Sequence, residues 1–129
     1  MKFISRKMHA VMDYIVGVVL IAAPWILGFA NNEPAKWTAV AVGVVMLAMS
    51  LMTDYEGGLI KAVPMSLHLG MDMLAGAFLA VSPWLLGFHD QVYLPHLVLG
   101  VLEIGVALFT QRTTEHSASG RFNISQPHR

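Results

Sequence analysis

Apolar residues are gathered into four long stretches, which are separated by short polar segments. The stretches cover residues 9–29, 37–53, 68–88 and 94–110. A helix that crosses the hydrocarbon core of a bilayer needs about 20 mostly apolar residues, with a range of about 17–25. The stretches lack the alternation of a membrane β-strand, and a bilayer requires every backbone group to be bonded internally. The pattern therefore predicts an all-α, polytopic membrane protein with four transmembrane helices.

The second half of the chain repeats the first. A shift of 59 residues lays residues 9–29 on residues 68–88 without a gap, and ten of the 21 positions are identical. Residues 5–53 and 64–110 are therefore predicted to be two tandem helix pairs within one membrane domain, residues 1–110. Because both pairs enter and leave the membrane on the same side, we expect a pseudo-two-fold axis along the membrane normal.

Composition supports a membrane protein. The chain has 129 residues, of which 56% are hydrophobic and 12% charged, and its mean hydropathy is +0.61. A soluble domain carries about 25% charged residues. Eight Lys and Arg balance eight Asp and Glu, so no basic excess indicates nucleic acid as a partner. The absence of cysteine excludes disulfides, thiolate metal sites and a catalytic thiol.

Positive charges predict the orientation in the membrane. Seven of the eight Lys and Arg residues fall on one side of the predicted spans: Lys2, Arg6, Lys7, Lys61, Arg112, Arg121 and Arg129. Under the positive-inside rule both termini are then cytoplasmic. Residues 111–129 are polar and are predicted to be a disordered cytoplasmic tail, whose soluble partner, if it has one, the sequence does not name.

Each repeat carries a Pro-Trp motif near the end of its first helix. The copies read APWILGF at 23–29 and SPWLLGF at 82–88, and their shared residues are Pro24, Trp25, Gly28, Phe29, Pro83, Trp84, Gly87 and Phe88. Each proline is expected to kink or loosen the last turn, and each tryptophan to anchor that end in the headgroups. A site lined by the freed carbonyls is the less favoured alternative.

These motifs resemble the signature of the SPW repeat family, small bacterial integral membrane proteins named for a Ser-Pro-Trp motif. The resemblance covers roughly residues 5–112, and the first copy departs from it by having Ala23 in place of serine. It implies a location in the bacterial plasma (inner) membrane and the helix-pair architecture. It supplies no catalytic residues.

The positions shared by the two repeats form a stripe. On a helical wheel, seven of them fall within an arc of about 100°: His9, Asp13, Gly17, Leu20, Pro24, Leu27 and Gly28. A lipid-facing surface has no need of glycine or aspartate, whereas a helix contact does. We therefore expect the stripes of the first and third spans to face each other, with Gly17 and Gly76 in contact across the axis.

Two His-x-x-x-Asp pairs place a base and an acid one turn apart. If the stripes converge, His9, Asp13, His68 and Asp72 meet at one depth. The favoured interpretation is a set of hydrogen bonds or salt bridges that locks the helices. A zinc, iron or manganese site is one alternative, and a haem held by His9 and His68 is another. No cofactor is therefore predicted under the favoured interpretation.

Glu103 lies near the middle of the fourth span, two turns from His96. It could belong to a proton or ion path, or it could stabilise the bundle with Ser50 or Thr53 opposite; the second interpretation is favoured. The leading functional hypothesis is thus a non-enzymatic structural or interaction bundle in the lipid bilayer. The alternatives are a transport or proton-conducting module that uses Glu103, Asp13 and Asp72 in a homo-oligomer, and a metal- or haem-binding bundle.

Overall fold

The computed structural model describes residues 4–53, 58–60 and 62–110. These residues form four α-helices: α1 (Arg6–Ile26), α2 (Glu33–Leu51), α3 (Met65–Leu85) and α4 (Leu94–Phe109). The described ranges contain isolated β-bridges but no strand. The all-α prediction is therefore confirmed, whereas the predicted tail at 111–129 lies outside the described residues.

The helices have the lengths and the surface of a membrane protein. By length and composition α1, α2 and α3 can each cross a membrane, and α4 is shorter, with 16 residues. Large apolar side chains, among them Ile15, Leu74 and Val98, are exposed on the outside, while polar residues such as Ser50 and Glu103 are buried. This arrangement suits a bundle surrounded by lipid rather than water.

Packing is most extensive within each repeat, where α1 lies on α2 and α3 lies on α4. Glycines allow these close crossings. A Cβ built on Gly43 would lie 2.8 Å from the carbonyl oxygen of Gly17, and one built on Gly100 would lie 2.5 Å from that of Gly76. The expectation that Gly17 and Gly76 contact each other is therefore wrong, because each packs on the second helix of its own repeat.

Short backbone pairings hold the beginnings of α1 and α3 beside the ends of α4 and α2. The Ile4 N–H donates to the Phe109 carbonyl at 2.9 Å, and the Val63 N–H donates to the Met52 carbonyl at 2.8 Å. Ile4 and Val63 are equivalent positions under the shift of 59 residues. We call this end of the bundle the proximal end, and the end that carries the Pro-Trp motifs the distal end. The pseudo-two-fold axis itself stays a prediction.

The Pro-Trp motifs are helix ends. Helix α1 continues through Pro24 to Ile26, so both it and α3 end three residues before the predicted spans. Gly28 and Gly87 have φ angles of 79° and 77°, the left-handed conformation that favours glycine. The next residue in each copy is a buried phenylalanine whose N–H donates to the proline carbonyl at 2.8 Å. Each motif thus forms a Schellman C-cap, with its tryptophan exposed towards the surroundings.

The serine of the second motif compensates for its proline. Pro83 has no N–H to donate to the carbonyl of Leu79, four residues earlier. The hydroxyl of Ser82 donates to that carbonyl at 2.7 Å, and Ser82 is fully buried. Ala23 stands at this position in the first copy and has no hydroxyl to offer the equivalent carbonyl.

We expect Gly100→Ala to destabilise the bundle by about 1–3 kcal/mol through overpacking. The new methyl group would meet backbone atoms of Gly76 and Ala80 at 2.5–2.8 Å, and backbone cannot move aside as a flexible side chain does. Thermal unfolding in mild detergent measures the effect. Gly105→Ala in the same helix is the matched control, because its methyl group meets nothing within 4 Å. Equal unfolding midpoints for the two variants would contradict the close crossing.

The hydrogen bond from Ser82 is testable with a double-mutant cycle. Ser82→Ala should cost about 0.6 kcal/mol, and at most about 1.7 kcal/mol, as measured for side-chain hydrogen bonds inside membrane bundles. The cost should shrink in a Pro83→Ala background, because an alanine N–H there can bond to the Leu79 carbonyl. The readout is the free energy of unfolding of the four proteins. An equal cost in both backgrounds would show that the hydroxyl does not replace the missing N–H.

Candidate metal centre

Two helices present the same pair of side chains at the same height. His9 and Asp13 are the fourth and eighth residues of α1, and His68 and Asp72 are the fourth and eighth of α3. Side chains four residues apart lie on one face of a helix. All four residues are buried, with exposures between 0% and 4%, so the faces that carry them point into the bundle.

The four side chains form a closed ring of alternating nitrogen and oxygen atoms. Nε2 of His9 lies 3.0 Å from Oδ2 of Asp13 and 2.9 Å from Oδ2 of Asp72. Nε2 of His68 lies 2.8 Å from Oδ2 of Asp13 and 3.0 Å from Oδ2 of Asp72. We call these four side chains the His–Asp ring. The structure thus brings together the residues that the sequence pattern suggested would meet.

Threonines orient both imidazoles. Nδ1 of His9 lies 2.8 Å from the hydroxyl of Thr110, and Nδ1 of His68 lies 2.6 Å from that of Thr53. Each hydroxyl donates its own hydrogen to a carbonyl one turn earlier in the chain. It can therefore only accept from the imidazole, so Nδ1 carries a hydrogen and Nε2 is the atom that faces the carboxylates.

Each histidine is held by the opposite repeat. His9 of repeat one contacts Asp72 and Thr110 of repeat two, and His68 of repeat two contacts Asp13 and Thr53 of repeat one. The sequence reasoning did not name Thr110 as a site residue. The sequence feature that could have identified Thr110 is its equivalence to Thr53 under a shift of 57 residues. This equivalence places each threonine just after the second helix of its repeat.

The low dielectric of a membrane favours a neutral ring, and two of the charge arrangements that make the ring neutral differ in the hydrogens on the Nε2 atoms. If both Nε2 atoms carry hydrogens, two imidazolium ions balance two carboxylates. If neither does, one divalent cation balances the carboxylates. The spacing of 2.8–3.0 Å fits N–H···O hydrogen bonds. The same spacing also fits two neighbouring ligand atoms that form a right angle at a metal ion, with metal–ligand bonds of about 2.0–2.1 Å.

The geometry does not fit a haem held by His9 and His68. A porphyrin would have to lie between the two imidazoles with its iron bonded to each. The imidazole ring centroids are only 5.4 Å apart, and both Nε2 atoms point at the same two carboxylates. The carboxylates therefore occupy the space that a macrocycle would need.

The surroundings of the ring differ between the repeats. The Ser50 hydroxyl donates to Oδ2 of Asp13 at 3.1 Å, whereas the equivalent residue in repeat two is Ala107. Glu103 is 1% exposed, and neither of its carboxylate oxygens has a hydrogen-bond partner among the described residues. Ser50 and Thr53, suggested as partners of Glu103, therefore bond to ring residues instead.

His96 lies apart from the ring, at the distal end. It is buried between the two motif phenylalanines, with ring centroids 5.3 Å from Phe29 and 4.8 Å from Phe88. Its Nε2 donates to the carbonyl of Ala35 at 3.0 Å. Through these contacts His96 joins the motif ends of both repeats to α2. None of the described contacts of His96 involves Glu103.

Comparison with known proteins agrees with this architecture. The family model of the SPW repeat domain matches residues 7–110, which include all four ring residues and both Pro-Trp motifs. No curated protein and no solved structure matches the chain.

Proposed function

We propose that this chain, which belongs to the SPW repeat family, is a non-enzymatic membrane bundle whose two repeats are joined by one divalent transition-metal ion at the His–Asp ring. The observation that carries the proposal is the convergence of two Nε2 and two Oδ2 atoms, with 2.8–3.0 Å between neighbours. One ligand atom from each of the four residues lies within 4.8 Å of the others, which is close enough for all four to bind one metal ion.

The donor set supports a first-row metal. Imidazole nitrogen and carboxylate oxygen suit zinc, iron and manganese. Histidines that bind a metal usually donate their second N–H to an outer partner, and Thr53 and Thr110 are such partners for His68 and His9. All four ring residues are buried, and structural metal sites are typically closed by protein ligands in this way. This favours a role in holding the bundle together rather than in catalysis.

The competing arrangement is a ring held by hydrogen bonds alone, in which no metal ion joins the two repeats. The transport hypothesis built on Glu103, Asp13 and Asp72 stays a prediction from the sequence. No described contact links Glu103 to His96, so the described contacts do not support a path between them.

The test is metal binding by the full-length protein in mild detergent. We expect one metal ion per chain by elemental analysis. At a free metal concentration of 100 times Kd, binding should stabilise the protein by about 2.7 kcal/mol. His68→Ala and Asp72→Asn should each remove both effects, because the first deletes a ligand nitrogen and the second replaces a charged carboxylate with a neutral amide. His89→Ala and Asp90→Asn, at exposed positions outside the ring, are the matched controls.

Two results would contradict the metal proposal. One is a protein that contains no metal and whose unfolding midpoint responds to none of Zn²⁺, Fe²⁺ and Mn²⁺. The other is metal binding that His68→Ala and Asp72→Asn leave intact. The first result would favour the hydrogen-bonded ring, in which case the two variants should still destabilise the protein more than their controls.

For the location, we propose the bacterial plasma (inner) membrane with both termini in the cytoplasm. The positive-inside rule supports this, because in the sequence seven of the eight Lys and Arg residues fall on the side of the predicted spans that holds both termini. Since the chain has no cysteine, a single cysteine reports its side without background. Asn31→Cys at the distal end should react with a membrane-impermeant maleimide on intact cells. Leu59→Cys, at an exposed proximal position, should react only after permeabilisation, and the reverse pattern would refute the orientation.

A further inference from the structure

A groove lies on the outside of the bundle between α2, which belongs to repeat one, and α3, which belongs to repeat two. It begins at the distal end and has a volume of about 430 Å³. This volume lies within the range of about 300–1,000 Å³ that is typical of ligand sites. The lining comes from the first turns of α2 and from the last turns of α3 with its C-cap, and includes Glu33, Trp37, Thr38, Ala41, Phe78 and Leu86.

The groove has the depth and the chemistry of a site for an acyl chain. Its walls run eight residues from the distal end, from Glu33 to Ala41 and from Leu86 back to Phe78. At 1.5 Å per residue this is about 12 Å, close to the hydrocarbon depth of about 15 Å in one leaflet. Thr38 is polar, but its hydroxyl already donates to a backbone carbonyl of α2 at 2.7 Å. An acyl chain would therefore meet apolar walls and supply the dispersion contacts that an empty groove lacks.

The rim of the groove carries a fixed pair of opposite charges. The Glu33 carboxylate accepts from Nζ of Lys36 at 3.0 Å and from Nε1 of Trp37 at 2.7 Å. The same Nζ lies 4.9 Å from the centroid of the Trp37 ring, and tryptophan prefers the headgroup level of a membrane. A carboxylate can accept about four hydrogen bonds and an ammonium group donates three. Both charged groups can therefore bind a headgroup without giving up their own contact.

A second groove, at the distal end of α1, has no such rim. Its volume is about 370 Å³, and it is lined by Leu27, Phe29 and residues 91–95. Leu27 is equivalent to Leu86 under the shift of 59 residues, so the two grooves adjoin matching helix ends. None of the residues that line the second groove is charged. The charged rim is therefore a feature of α2 and not of the pattern that the repeats share.

We propose that the groove between α2 and α3 binds a zwitterionic phospholipid with a primary-amine headgroup, as in phosphatidylethanolamine. One acyl chain fills the groove, the headgroup ammonium donates to the Glu33 carboxylate, and the phosphate accepts from Lys36. Sites for anionic lipids are typically clusters of Lys and Arg, whereas this rim pairs one lysine with one glutamate. A headgroup that carries both charges complements both members of this pair. Because the walls come from different repeats, the bound lipid also joins the two halves at the distal end.

The experiment measures lipid binding by the full-length protein in mild detergent, with native mass spectrometry as the readout. The probes are phosphatidylethanolamine, phosphatidylcholine and phosphatidylglycerol with identical acyl chains, each added alone. The amine of phosphatidylcholine is fully methylated and cannot donate a hydrogen bond, and phosphatidylglycerol has no amine. Phosphatidylethanolamine should therefore bind about two- to fivefold more tightly than either, the ratio expected for one exposed ion pair.

Two pairs of variants separate the groove from its rim. Ala41→Phe should abolish binding of the lipid, because the new ring occupies the groove. Ala48→Phe is its matched control, at an exposed position of the same helix outside the lining. Glu33→Gln should make the affinities for phosphatidylethanolamine and phosphatidylcholine equal. Asp90→Asn, at an exposed distal position outside both grooves, should keep the wild-type preference.

Three results would overturn the proposal. The first is equal affinity of the wild-type protein for the three lipids. The second is an Ala41→Phe protein that binds phosphatidylethanolamine as tightly as the wild type does. The third is a Glu33→Gln protein that keeps the wild-type preference. Unfolding midpoints measured without added lipid verify that each variant is folded.

Discussion

The contact between two imidazoles and two carboxylates, drawn from opposite repeats, is the interaction on which the bundle depends. Inside lipid there is no hydrophobic force between helices, so polar contacts and close packing must hold them. A charged group left alone there costs about 2.5–3.5 kcal/mol on insertion scales. Because each histidine is bonded by an aspartate and a threonine of the other repeat, separating the repeats would expose all of these groups at once.

The rest of the fold brings this ring together. Glycines at positions 17, 43, 76 and 100 let the two helices of each repeat cross closely. Backbone pairing at the proximal end then places Thr53 and Thr110 beside the first turns of α3 and α1. At the distal end, the glycine-terminated motifs bury Phe29 and Phe88 against His96. Each repeat therefore supplies a closely packed helix pair, and polar contacts at both ends join the pairs.

Departures from the repeat show where the two halves differ in their contacts. Ser82 restores a hydrogen bond that a motif proline removes, and Ala23 does not. Ser50 supports Asp13, whereas Ala107 leaves Asp72 without that donor. The largest difference is Glu103, a buried carboxylate at the position that Met46 occupies in repeat one.

The sequence by itself determined four helices, the two repeats and the shared face of each His-Asp pair, because continuous apolar runs and spacing along one helix are local properties. Helices α1 and α3 end earlier than predicted. The predicted spans extend to the motif phenylalanines, whereas Gly28 and Gly87 end the helices before these residues. Only the tertiary structure decided that Gly17 packs on α2, that Thr110 orients His9, and that Glu103 has no hydrogen-bond partner among the described residues. A helix pattern indicates which face is buried, but the neighbour of that face depends on how all four helices cross.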